Sequence, residues 1–230
     1  MTLGSNTTTR TSAFVDLAII VVVLVAVKQT VLPYSLVYAG PASTFSAMAV
    51  ATYLLHRRGL GWSDLGLRWP ENWWRTLAIS VAIFAAFLVT AGTSSALADL
   101  WFEDIGAGGR FDFVRGNLAA YLLIMALVWT HGSFFEELLF RAFIITKLGD
   151  GLGDTKAASL IAVVLAAIFF GYRHYYYQGM HGALVTGCIG LVFGLIYLKL
   201  KNTSMLPLIL VHGLANSIAQ TNRFLSAPLG

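Results

Sequence analysis

Three short stretches of this chain carry side chains that could do hydrolytic chemistry. SFFEELLFR (133–141) holds adjacent carboxylates, Glu136 and Glu137, with a guanidinium at Arg141. FFGYRH (169–174) ends in His174, four residues after Phe170, and HGLAN (212–216) sets His212 and Asn216 four apart. Residues four apart share one face of a helix, so Glu137 and Arg141 are expected to form an internal ion pair. Glu136 points roughly 100° away from Glu137 and has no partner at i+3 or i+4. A lone carboxylate on an apolar face needs groups from another helix. Two imidazoles and a carboxamide are on offer. Taken singly, each histidine reads as an interhelical hydrogen-bonder. Taken with Glu136, the four residues make a set spread over three segments.

The surrounding sequence says what must position them. Of 230 residues, 57% are hydrophobic and 11% charged, against about 25% charged in an ordinary soluble domain. The fold class expected is an all-α polytopic membrane protein, a bundle of seven to eight transmembrane helices in a single domain (1–230). Residues 13–116 would supply N-terminal helices and an interfacial loop, and 117–221 the motif-bearing core. With about 20 apolar residues needed per crossing, the candidate spans are 13–32, 38–56, 75–98, 118–147, 157–174, 182–199 and 203–221. The fourth is long enough to tilt, protrude or break near His131-Gly132-Ser133, and a break would make eight. Backbone polar groups in lipid require internal partners, so helices are the expected form of these runs.

The net charge of +4 fits membrane orientation and lipid headgroups and gives no reason to expect nucleic acid. Sorting Lys and Arg by side puts the excess with the N-terminus, which is then expected in the cytoplasm. The loop HRRGLGWSDLGLRWPENWWR (56–75) reads as an interfacial segment with Trp62, Trp69, Trp73 and Trp74 at headgroup depth. The polar start lacks a small-residue cleavage site, so no cleavable signal is expected. The single Cys188 reads as a packing residue. Gly190 and Gly194 form a GxxxG suited to close helix approach. Pro207 marks either a kink or the first turn of the last span. His131 and His181 lie near the motifs but receive no role.

The three motifs, EELLFR as EExxxR, FGYRH as FxxxH and HGLAN as HxxxN, resemble those of the CAAX-prenyl-protease and bacteriocin-processing (CPBP, Abi or Rce1-like) intramembrane proteases. The resemblance covers about 130–220. It departs at Ala142, where many members have glycine, and at His131, where small residues are common. By position, the resemblance implies that Glu136 is the general base activating a water and His174 orients that water. It implies that His212 and Asn216 stabilise the oxyanion, and that Glu137 and Arg141 hold the helix and tune Glu136. No cofactor is the favoured expectation. The alternative is Zn2+ on Glu136, His174 and His212, a ligand set of several zinc hydrolases. The implied substrate is a membrane-associated peptide or lipidated protein, either a prenylated CaaX-type tail or a bacteriocin or signal-peptide precursor. A non-catalytic scaffold or immunity protein has no need of the full set. A proton-coupled transporter would show paired halves, which this chain lacks. Compact loops suggest a prokaryotic cell membrane.

Overall fold

The computed structural model describes residues 9–105, 109–153 and 155–226. Most of the polar start, and with it the expectation about a cleavable signal, lies outside the described residues. Every regular element among the described residues is helical. Three helices precede the motifs: α1 (Arg10–Val31), α2 (Ala39–Arg57) and α3 (Trp73–Ala98). Then come α4 (Leu118–Trp129), α5 (Ile145–Leu152), α6 (Lys156–Leu200) and α7 (Leu206–Leu225). Side-chain caps explain where several of them start. Thr9, Asn72, Asn117 and Thr155 each accept a hydrogen bond from a first-turn backbone N–H of α1, α3, α4 and α6. Pro207 sits in the first turn of α7, where its missing N–H is not needed, and so starts the helix without kinking it.

Among the described residues, four helical stretches are long and apolar enough to cross a membrane: Arg10–Val31, Trp73–Ala98, Leu118–Leu152 and Lys156–Leu200. That number is smaller than the seven to eight spans expected from sequence. α2 and α7 fall short because polar residues interrupt them, among them Ser43 and Thr44 in α2 and His212, Asn216 and Arg223 in α7. The outward faces are apolar, with Val22, Val81, Val89 and Ile168 all more than 60% exposed. The molecule is thus apolar outside as well as inside, as an integral membrane protein must be.

Two local features differ from expectation. The fourth span does not break at His131-Gly132-Ser133. Between α4 and α5 it widens into π-type turns over Thr130–Phe135 and Glu137–Ile144, keeping one continuous helical path. The expected loop between the fifth and sixth spans is also absent. α6 runs helical through it except at Gly179 (φ 62°, ψ −165°), a conformation glycine adopts without the Cβ penalty. The chain reverses there, so that 156–178 and 180–200 pack as antiparallel limbs. The reversal is visible in the pairs it brings together: a Cβ on Gly190 would touch Phe170 and Ala167, and one on Gly194 would touch Val163 at 2.7 Å. The GxxxG is therefore a packing stripe, as its spacing suggests.

The closest approach of the two limbs is at Gly171. A Cβ there would run into the Ala183 carbonyl oxygen and press on Gly187 Cα at 3.1 Å. Because backbone cannot rotate away, Gly171→Ala is expected to destabilise by about 1–3 kcal/mol. Thermal unfolding in detergent should show the drop. Gly149→Ala, where a Cβ meets nothing within 4 Å, should leave the transition in place.

Charged anchors tie the helices around this hairpin. Asp16 on α1 receives the Arg58 guanidinium at 2.6 Å, and Lys147 Nζ lies 3.2 Å from the same carboxylate oxygen. Arg173 donates to Leu24 O and Ser43 Oγ, and Lys28 lies over the Tyr176 ring at 4.1 Å. Lys28, Arg110, Lys147 and Arg173, counted from sequence toward one membrane side or the other, are all buried. The loop 56–75 is pinned to the turn before α7 by Met205 N–H to Gly66 O, Ser204 Oγ–H to Arg68 O and Arg68 to Asn202 O. Trp69 and Trp74 stand more than 80% exposed and Trp73 half exposed. Trp62 instead packs on Phe143 and donates to Thr52.

Candidate active site

The widened turns decide what surrounds Glu136. In an α-helix, residues five apart diverge by roughly 140°. A π turn, bonded i to i+5, brings them back toward one face. His131 thus comes to stand beside Glu136, with Nε2 3.5 Å from Glu136 Oε1. The sequence reading left His131 without a role because α-helical spacing offers none. Its only sequence signal is the polar HGS inside an otherwise apolar run. Phe45 on α2 packs edge-on against the His131 ring.

Glu137 points the other way and is completely buried. Its Oε1 lies 3.1 Å from Arg141 Nη1, the ion pair expected from the i,i+4 spacing. The same oxygen is 2.7 Å from His212 Nδ1 on α7, a contact no local spacing foretells. A carboxylate oxygen accepts, so the imidazole donates from Nδ1. That orients His212 with Nε2 facing the other glutamate, 3.9 Å from Glu136 Oε2. One acidic pair on one helix therefore splits its tasks. Glu137 anchors Arg141 and His212, while Glu136 faces open space.

Phe170 explains why a phenylalanine precedes His174 by one turn. Its ring lies 4.2 Å under the Arg141 guanidinium and 4.7 Å from the His174 ring. Its carbonyl oxygen is 2.8 Å from His174 Nδ1, so Nδ1–H donates there and Nε2 keeps its lone pair. Asn216 donates one amide hydrogen from Nδ2 to Gly132 O at 2.9 Å. A primary amide has a second N–H, and that one is left for a ligand.

Glu136, His174, His212 and Asn216 all line one cavity of about 560 Å³, together with His131. All four candidates named from sequence are thus brought together, while Glu137 and Arg141 stand behind them. His181 also reaches the wall, but its Nε2 is committed to Asp99 at 3.0 Å, with Ser95 Oγ at 3.5 Å. It ties the second limb of α6 to the end of α3. A metal would find Nε2 of His174 and His212 available. Yet no group of three His, Cys, Asp or Glu side chains among the described residues is arranged to hold an ion. The site can place a water between a carboxylate and imidazole nitrogens, with an amide N–H nearby.

Residues 117–218 match the family described as Type II CAAX prenyl endopeptidase Rce1-like. All seven motif residues fall within the matched stretch. No curated protein and no solved structure matches the chain.

Proposed function

Because its residues 117–218 match the Rce1-like CAAX protease family, we propose that this chain belongs to that family and is an intramembrane endopeptidase. On this reading it cuts a peptide bond in a membrane-associated substrate with a glutamate-activated water. The observation that carries the reading is the shared cavity, into which Glu136, His174, His212 and Asn216 project from three separate helical segments.

Glu136 is the base. Its carboxylate takes a proton from the water as the water attacks the scissile carbonyl. His174 accepts a hydrogen bond from that water at Nε2, because its Nδ1–H is occupied by Phe170 O. The negative charge then developing on the substrate oxygen is met by the free N–H of Asn216, with the His212 ring beside it in the same cavity. Preorganised donors of this kind are worth several kcal/mol in a site shielded from bulk water. Glu137 accepts from His212 Nδ1–H, and Arg141 holds Glu137 in place. The proton held by Glu136 returns to the leaving amine, which restores the carboxylate. His131 Nε2 stands 3.5 Å behind Glu136 Oε1, on the side away from His212.

The membrane topology that goes with this reading has seven crossings: α1, α2, α3, the continuous helix 118–152, the two limbs of α6, and α7. The substrate is a lipidated, CaaX-type tail or a leader-bearing precursor, in a prokaryotic cell membrane.

A second reading rests on the free Nε2 atoms of His174 and His212. With Glu136 these would hold a Zn2+, which would supply Lewis-acid activation of the water. One assay separates the two. Protein purified into nanodiscs is mixed with a prenylated peptide, and products are read by mass spectrometry before and after exhaustive chelation. Cleavage that survives chelation is expected. Loss of cleavage restored by stoichiometric zinc would replace the metal-free mechanism, and no cleavage in either condition would remove the peptidase reading.

A further inference from the structure

Two of the membrane-crossing stretches reach the surface at one place: α3 starts at Trp73 and the second limb of α6 ends at Leu200. The loop 56–75 and the turn 201–205 lie there and pack on each other. A Cβ on Gly66 would stand 3.0 Å from Lys201 Cα, and Arg68 Nη1 donates to Asn202 O at 3.1 Å. Arg57, Arg68, Arg75 and Lys199 are exposed at this end, with Lys201 partly buried beside them. No ion pair among the described residues engages any of these five cations. The carboxylates on the same segments are Asp64 and Glu71, and Asp64 accepts from the Gly61 N–H at 2.7 Å. The patch therefore carries a net positive charge. Trp69 and Trp74 stand more than 80% exposed in it, and Trp69 packs edge-on against Trp73 at 5.8 Å. An indole joins an apolar body to one N–H donor and settles at headgroup depth. Unpaired cations beside exposed indoles, at the ends of crossing helices, fit a lipid surface bearing negative charge.

The same loop holds the start of α7. Met205 N–H donates to Gly66 O at 2.9 Å, and Ser204 Oγ–H to Arg68 O at 2.6 Å. α7 begins at the next residue, Leu206, and His212 lies about 9 Å further along the helix. The 2.7 Å contact of His212 with Glu137 depends on the height and rotation of α7. Residues 66–68 thus connect the cationic patch to the helix that carries His212 and Asn216.

We propose that the loop 56–75, with the turn 201–205, binds the headgroups of anionic phospholipids, and that this binding holds α7 in the register the active site needs. Cleavage then runs faster in a bilayer containing anionic lipid than in a zwitterionic one. The effect on rate rests on the peptidase reading, while the binding surface stands apart from it.

The test places full-length protein in nanodiscs of phosphatidylcholine, with and without phosphatidylglycerol. Thermal unfolding and kcat are measured in each. The substrate is a lipidated peptide of zero net charge, so that lipid charge leaves its partitioning unchanged. Phosphatidylglycerol is expected to raise the unfolding temperature and to raise kcat by about fivefold or more, the lower end of ordinary coupling between two sites. Added salt should weaken both responses. The triple variant Arg57→Gln, Arg75→Gln, Lys199→Gln removes three exposed charges, each worth about fivefold in binding to an anionic surface. It should lose both responses yet keep the wild-type kcat in phosphatidylcholine alone. A change that merely disturbed the fold would lower kcat in both lipids. Equal unfolding temperatures with and without phosphatidylglycerol overturn the inference, and cleavage in those discs leaves the peptidase reading standing. A raised unfolding temperature at unchanged kcat overturns the link to α7. A triple variant that responds like the wild type overturns the assigned surface, as does soluble glycerol phosphate producing the same rise, since the ligand would then be a free phosphate. No cleavage in any disc removes the peptidase reading, and the unfolding shift still decides the binding surface. Should the triple variant fail to fold, the three single substitutions take its place, each expected to lose part of the response.

Discussion

Glu136→Gln is expected to lower peptide cleavage by about 10²–10⁴-fold, the contribution of a positioned general base, without shifting thermal unfolding. The amide matches the carboxylate in size, and Arg141 and His212 Nδ1 keep Glu137 as their partner. The neighbouring His131 at 3.5 Å can still contact the amide. What is lost is the capacity to take a proton from water. Product formation by mass spectrometry and unfolding in the same detergent would check both halves. Cleavage at the wild-type rate would show that Glu136 is not the base, whatever the cavity looks like.

The residue next to it should behave in the opposite way. Glu137→Ala is expected to destabilise the protein by about 3–5 kcal/mol, because removing one member of a buried pair leaves an uncompensated charge. Arg141 would then be buried with only the Phe170 and Phe193 rings against its guanidinium. The double change Glu137→Leu with Arg141→Met removes both charges and should recover most of the stability, as apolar replacement of buried pairs does. It should not recover cleavage, since His212 Nδ1 would have lost its acceptor. Thermal unfolding of the single and double variants decides. A Glu137→Ala protein that unfolds at the wild-type temperature would contradict the anchoring role.

These contrasting expectations for adjacent glutamates show how far the residues could be read without coordinates. Apolar runs predict the helices because a backbone in lipid has few other options, and the caps at Asn72, Asn117 and Thr155 mark their starts. The pairs Glu137–Arg141 and Phe170–His174 follow from α-helical spacing and are found in contact. The seven to eight crossings were less legible. Counting apolar residues treats each run as a full crossing, whereas polar residues interrupt α2 and α7.

The types and local spacing of the motif residues were therefore determined by the sequence alone, since spacing along one helix is a matter of its pitch. Tertiary structure decided the rest. The 2.7 Å contact of Glu137 with His212 depends on how α7 is rotated against the fourth span. The His131–Glu136 contact exists only because the turns widen between them. Arg110 becomes a cavity residue only because its guanidinium packs against the Tyr177 ring of α6, far away in sequence. Contacts across helices depend on register and rotation, which packing of the whole bundle sets and no short stretch of residues encodes.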